Sequence, residues 1–351
     1  MKKLMIPSIL LLMFALFQTT KAQQTSGGRI RDVDNNGIPG VSVSGNLNCK
    51  GGIPIGDGAN FPLSAVTATD GSYFFILPPI TGTSSCMTQT VTVTGLSKPN
   101  YVFFNDIGIQ LPLFQSVSGA DYKAVAASET VAAGFSQDLS MTTEGATTFP
   151  LPTTLGGRSV VVSHTALMGA EKNAEIIFVS PEQINYVIPA GLPPGRAFVK
   201  VRDGDRLVRA GVIELKPIAP GLFTLTADGA GLPAAFAQRV KSDGTQSYEL
   251  IARFDPDQGK FVAIPIDLDA ETDKVFLGLL GTGLRNRRAL EVVTAKIGGM
   301  PVEVLYAGPQ GMPGVDQVNL RVPGALRGRG EVDVEVMVEG NAVNMVKIVI
   351  K

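Results

Sequence analysis

The sequence predicts an all-β protein built as three consecutive β-sandwich modules. Three observations carry that expectation. Forty Gly and 23 Pro in 351 residues, with only 17 % charged side chains, suit many short strands joined by tight turns rather than long helices. Apolar and polar residues alternate in short runs bounded by Gly, Pro, Asn and Asp, the period of a half-buried strand. One phrase also occurs twice: Gly156-Gly157 is followed by Gln183-Ile184-Asn185 and then Pro189, and Gly298-Gly299 by Gln317-Val318-Asn319 and then Pro323. Duplication points to architecture, because a stacked assembly needs repeated modules whereas a catalytic site needs only one.

The chain opens with an export signature. Lys2 and Lys3 precede an apolar stretch from Ile6 to Phe17, and small residues stand at Thr20 and Ala22, where a signal peptidase would read them. Residues 1–22 are therefore expected to be a cleaved signal peptide, with 23–28 a linker. An uncleaved anchor is the alternative, but a span needs about 20 apolar residues and this run is shorter. The mature chain is expected to have no membrane span and to end at the cell surface or in the medium, with the periplasm as another stop. Removing Lys2, Lys3 and Lys21 from 30 basic and 31 acidic residues leaves 27 against 31. That balance offers no basic footprint for nucleic acid or anionic membrane.

The first module is expected over residues 29–113. The stretch from Asp32 to Gly40 is a dense turn signal, and Val41-Ser42-Val43-Ser44 alternates as a strand should. A second turn, Thr69-Asp70-Gly71-Ser72, leads into Tyr73-Phe74-Phe75-Ile76, and Thr90–Thr94 and Tyr101–Phe104 follow as further strands. With its Gly37-Ile38-Pro39-Gly40-Val41 strand start, its Asp70-Gly71-Ser72-Tyr73 turn and its late Tyr101-Val102-Phe103, the module resembles the carboxypeptidase regulatory-like domain. That resemblance implies a small transthyretin-like β-sandwich and a non-catalytic appendage.

Asp32, Asp34, Asn36 and Gly37 match the opening of a calcium loop, which makes Asp32, Asp34 and Asn36 candidate metal ligands. Position twelve of such a loop needs a bidentate carboxylate, and here it is Val43, so an Asx-rich turn is the preferred reading and no cofactor is expected beyond this calcium candidate. The only two cysteines, Cys49 and Cys86, are expected to pair in an oxidising compartment, closing a loop worth roughly 4 kcal/mol on the chain-entropy estimate. Two free buried thiols are the alternative.

Residues 114–226 and 227–351 are expected to hold the two repeats. Pro150-Leu151-Pro152-Thr153-Thr154-Leu155-Gly156-Gly157, Phe178-Val179-Ser180-Pro181-Glu182-Gln183-Ile184-Asn185-Tyr186, Ala219-Pro220-Gly221-Leu222-Phe223, Gly281-Thr282-Gly283-Leu284-Arg285 and Gly314-Val315-Asp316-Gln317-Val318-Asn319 follow in order. Together they resemble the uncharacterised C-terminal region of many large secreted proteins of Acidobacteria and related soil bacteria. The resemblance implies two immunoglobulin-like or IPT-like sandwiches and no established biochemical activity. Ala133-Gly134-Phe135-Ser136 departs from it, standing where a hydrophobic strand is usual, which leaves the first strand of the first repeat in question. Gly156, Gly157, Gly298 and Gly299 are read as tight turns launching strands. Gln183, Asn185, Gln317 and Asn319, with Pro189 and Pro323, are read as structural hydrogen-bonders and strand ends rather than a ligand site.

Catalytic signatures are sparse. His164 is the only histidine, no Gly-x-Ser-x-Gly elbow surrounds a serine, and zinc sites assembled from several His or Cys are excluded by count. Asp267, Asp269, Glu271 and Asp273 alternate, and are read as a solvated edge in preference to a cation site. Arg285, Arg287 and Arg288, with Arg327 and Arg329 later, form a cluster read as a solvated face in preference to a grip on an anionic polymer. The chain is therefore expected to be a non-catalytic exported adhesion or structural protein that presents β-sandwich surfaces to surface or secreted proteins. Polysaccharide binding is the second expectation, weakened by the absence of Trp. A hydrolase using a carboxylate pair assembled by folding is the third.

Overall fold

The computed structural model describes residues 25–50, 59–76, 88–104, 106–110, 113–164, 171–268 and 272–351. They form strands and turns throughout, with a short 3-10 turn at Gly324–Leu326, and the protein is all-β. The segment read as a signal peptide, 1–22, lies outside them, as does Cys86 and with it the Cys49–Cys86 pairing. By its internal contacts the chain divides into two compact units, 1–113 and 114–351.

In the first unit, Ser42–Lys50 pairs with Ala59–Val66 on one side and Thr88–Ser97 on the other. Ile107–Gln110 lies between Arg31–Asp32 and Tyr101–Phe104. The alternation read from the sequence is realised: Val41 and Val43 are buried beside Leu47, Tyr73 and Phe75, while Ser42 and Ser44 face solvent. Of the stretch read as a linker, the described residues 25–28 belong to a strand. Thr25–Arg29 is a strand, paired antiparallel with Ser72–Ile76. Its Gly27 and Gly28 lie against Tyr73, and two residues without side chains leave no apolar alternation for sequence reading to detect.

The second unit holds two separate hydrophobic cores, each between two sheets. In the first body the strand Gln183–Val187 runs between Val131–Phe135 and Glu175–Val179, and the facing sheet centres on Arg158–His164, Gly195–Asp203 and Arg206–Leu215. In the second body Asp316–Val322 runs between Lys274–Thr282 and Val304–Pro309, and the facing sheet centres on Val293–Ile297, Gly330–Val338 and Val346–Ile350. The Gln-x-Asn strands thus occupy matching places in the two bodies. Alternation is clean in Gly330–Val338, where Val332, Val334, Val336 and Val338 enter the core between Glu331, Asp333, Glu335 and Met337.

The boundary between the two bodies lies earlier than the expected 226/227. Ile218 and Leu222 belong to the second core, and Gly221–Leu222 pairs with Lys274–Thr282. The questioned strand of the first body exists: Val131–Phe135 is paired on both sides. Its Gly134 is filled from elsewhere, because the Phe114 ring lies where a Cβ would stand, 1.8 Å from Cζ.

The two Gly-Gly turns look alike but are not counterparts. Both are two-residue hairpin turns with positive φ at each glycine, 54° and 72° at Gly156 and Gly157, 56° and 76° at Gly298 and Gly299. Only such residues suit a turn of that twist. Gly156-Gly157 precedes Arg158–His164, the strand that pairs with Gly195–Asp203. Gly298-Gly299 instead follows Val293–Ile297, which holds the matching place beside Gly330–Val338. One turn type, used at opposite ends of equivalent strands, accounts for the repeated letters.

Candidate functional site

The residues singled out from the sequence divide into structural and surface roles. In each repeat the amides are joined: Gln183 Nε2 donates to Asn185 Oδ1 at 2.8 Å, and Gln317 Nε2 to Asn319 Oδ1 at 2.5 Å. Both pairs lie on the sheet face opposite the core, since Ile184 and Tyr186, or Val318 and Leu320, point inward. Pro189 O accepts from Ser128 Oγ at 2.9 Å, and Pro323 O accepts from the Leu326 N–H at 3.0 Å.

In the first unit, Asp32 Oδ1 accepts from the N–H groups of Asp34 and Asn36 at 2.9 and 2.8 Å, and Oδ2 from Asn36 Nδ2 at 3.1 Å. That is an Asx turn, with the carboxylate engaged by its own loop. No group of three or more His, Cys, Asp or Glu is arranged to hold a metal among the described residues.

Of the charged stretches, Asp267 and Asp273 are tied to the second body, while Arg288, Arg327 and Arg329 are exposed. Arg239 is bidentate to Glu249 at 2.6 and 3.1 Å, reaches Asp273 at 3.5 Å and donates to Asp267 O at 2.7 Å. Glu249, ahead of its other partners, holds the guanidinium in its charged form. Asp267 also pairs with Lys351 at 3.2 Å, while Asp269 and Glu271 lie outside the described residues. Arg327 donates to Leu268 O, Arg329 to Gly298 O, and Arg288 pairs with Glu339 at 3.3 Å. His164 is buried at the end of its strand. A cleft of about 420 Å³ runs beside Asp273, Lys274, Arg321 and Arg327; its one carboxylate among the described residues is Asp273, already paired with Arg239.

Arg285 serves the joint between the two bodies. Asp316, with no exposed surface, accepts from the N–H groups of Leu284 and Arg285 at 2.7 and 3.1 Å and from Arg285 Nε at 2.8 Å. From there Arg285 Nη1 reaches Glu129 of the first body at 3.8 Å, and Asn286 Nδ2 donates to Ser128 O at 3.0 Å. Thr282 Oγ1 accepts from the Val131 N–H at 2.9 Å and donates to Gly314 O at 2.6 Å.

One open face is the outer side of the sheet Gln246–Leu250, Ala235–Val240, Lys274–Thr282, Asp316–Val322, Val304–Pro309. Its inner side carries Ala237, Leu277, Leu279, Val318 and Leu320 into the core, so by the two-residue period the alternate residues point out. Pairing register sets Leu250, Phe236, Gly278, Asn319 and Tyr306 in one row across the strands, and Tyr248, Gln238, Phe276 and Arg321 in the next. Tyr248 and Leu250 are 70 % and 72 % exposed. The Phe236 ring lies over Gly278, whose Cβ would fall 2.4 Å from Cζ, and meets Tyr248 edge to face at 5.6 Å. Tyr306 Oη donates to Pro309 O at 2.5 Å. Gln238 Nε2 donates to Gln246 Oε1 at 2.8 Å.

The matching face of the first body is covered: Tyr122 stacks on Phe135 at 6.3 Å, and Ala133 and Val117 are buried there. Sequence reading passed over Phe236, Tyr248 and Tyr306. Their alternation marks a strand face, but which face is bare depends on sheet order and on what lies above it. Neither a family model nor a curated protein matches the chain.

Proposed function

We propose that the chain is a non-catalytic, exported protein of the cell surface or secreted matrix that binds partners through β-sandwich surfaces. Export is supported by the charged, apolar and small-residue pattern of residues 1–22. The observation that carries the binding role is the contrast between the repeats: one outer sheet face is closed by Tyr122, and its counterpart is left open with Tyr248 and Leu250 on it. Exposed aromatic and aliphatic side chains grouped on one face mark an interaction site. The joint at Thr282, Arg285 and Asn286 supports a rigid two-body support for that face.

Affinity capture tests this. The full chain and its Tyr248→Asp variant are immobilised side by side and offered the envelope proteins, secreted proteins and extracellular polysaccharides of the producing organism. Saturable capture by the parent chain, lost in the variant, is expected. Capture that ignores the variant, or none at all, would remove the open face as the binding surface.

A further inference from the structure

We infer that the open sheet face is a platform for a neutral polysaccharide, on which Phe236, Tyr248 and Tyr306 stack against sugar rings and the Gln238–Gln246 amide pair reads hydroxyl groups. This rests on the partner-binding reading and names the partner's chemistry. A pyranose ring offers C–H bonds on its faces and hydroxyls around its rim. It therefore needs aromatic faces with neutral groups beside them that both donate and accept.

Four observations fit that requirement. Phe236 lies across the sheet over Gly278, and the Tyr306 hydroxyl is tethered to Pro309 O, so two rings are held in place before any ligand arrives. Little conformational freedom is then left to lose on binding. Gln238 Nε2 donates to Gln246 Oε1 and, at 3.5 Å, to Tyr248 Oη, which leaves the Gln246 amide N–H groups as donors and the Gln238 carbonyl oxygen as an acceptor beside Tyr248. In a dry protein interface such leftover groups would be a cost, whereas hydroxyls of either polarity satisfy them.

The field is also neutral at its centre. Charges stand at its margins: Arg321, 3.6 Å from Glu303; Lys274, one row beyond Phe276; and Arg287, whose Nη1 lies with the Tyr306 hydroxyl beside Gly308. Finally, the strand Gln246–Leu250, which carries Tyr248 and Leu250, is an addition. In the first body the corresponding sheet edge is Gln115–Ser118, with no further strand beyond it among the described residues. Five strands at ~4.8 Å spacing give a width of about 19 Å, enough for several sugar units rather than one. The Gln317–Asn319 pair is shared with the first body and belongs to the framework.

The test is affinity electrophoresis of the full chain through gels holding hydroxyethylcellulose, xyloglucan, galactomannan, soluble starch or dextran, against a polymer-free gel. Retardation by at least one polymer is expected, with Tyr248→Ala and Gln238→Ala each weakening it about tenfold while the thermal midpoint stays put. Retardation unaffected by either variant would overturn the inference. Passage through all five polymers, together with Tyr248-dependent capture of a protein or of a second copy of this chain, would overturn the polysaccharide but keep the partner-binding reading. Passage through all five with no Tyr248-dependent capture would overturn both.

Discussion

Thr282, in the second body of the C-terminal unit, accepts a hydrogen bond from the backbone N–H of Val131 in the first body at 2.9 Å. The same hydroxyl donates to Gly314 O at 2.6 Å and is 1 % exposed. One oxygen thus serves two buried backbone groups, one in the strand Val131–Phe135 of the first body and one in the turn that leads into Asp316–Val322 of the second. Replacing it by a methyl strands both. Thr282→Val should lose about 2 kcal/mol or more in urea unfolding, and Thr282→Ser, which keeps the hydroxyl, should lose less. Equal losses in the two variants would mean that the methyl group, not the hydrogen bonds, matters here.

Asp316 and Arg285 extend the same joint. Arg285→Ala leaves a carboxylate with no exposed surface and only two backbone donors, so a loss of about 3 kcal/mol is expected. Glu129→Ala removes only a contact at 3.8 Å to a part-exposed carboxylate and should cost well under 1 kcal/mol. Chemical denaturation of the two variants separates the internal pair from the bridge between bodies.

How far this was legible in the sequence follows from the kind of signal each feature leaves. Gly330–Val338 spells its burial in alternating Val and acid residues, and so was readable. Thr25–Arg29 hides its strand behind Gly27 and Gly28. The Gly-Gly phrases were readable as turns but not as non-equivalent ones, because turn chemistry depends on φ at two residues and not on which strand comes next. The open face could not be read at all: Tyr248 and Tyr122 are both aromatic residues near strands, and only the fold makes one a bare platform and the other a cover.

The duplicated amide pair should behave as framework. Asn319→Ala removes the acceptor for Gln317 Nε2 and should lower stability by about 1 kcal/mol, with Asn185→Ala doing the same in the first body. Thermal unfolding followed by circular dichroism checks both. Unchanged midpoints in both variants would sink the framework reading and return these amides to the list of ligand-binding groups.

Tyr186 gives the protein an alkaline limit. Its ring is fully buried and its hydroxyl donates to Ser116 Oγ at 2.9 Å. Burial, opposed only by that hydrogen bond, pushes the phenol well above its usual value of 10.0. In the unfolded chain the same phenol ionises near 10, so above that pH the unfolded state has released a proton that the folded state still holds. The stability due to keeping Tyr186 neutral is therefore complete below pH 10 and lost as pH rises from there toward the folded value, at about 1.4 kcal/mol per pH unit. Tyr186→Phe should flatten this slope while costing some stability at neutral pH, where Ser116 loses its donor. Absorbance titration of phenolate should show one tyrosine that ionises only together with unfolding. A phenol count that completes while the near-ultraviolet dichroism is still native would contradict the burial argument.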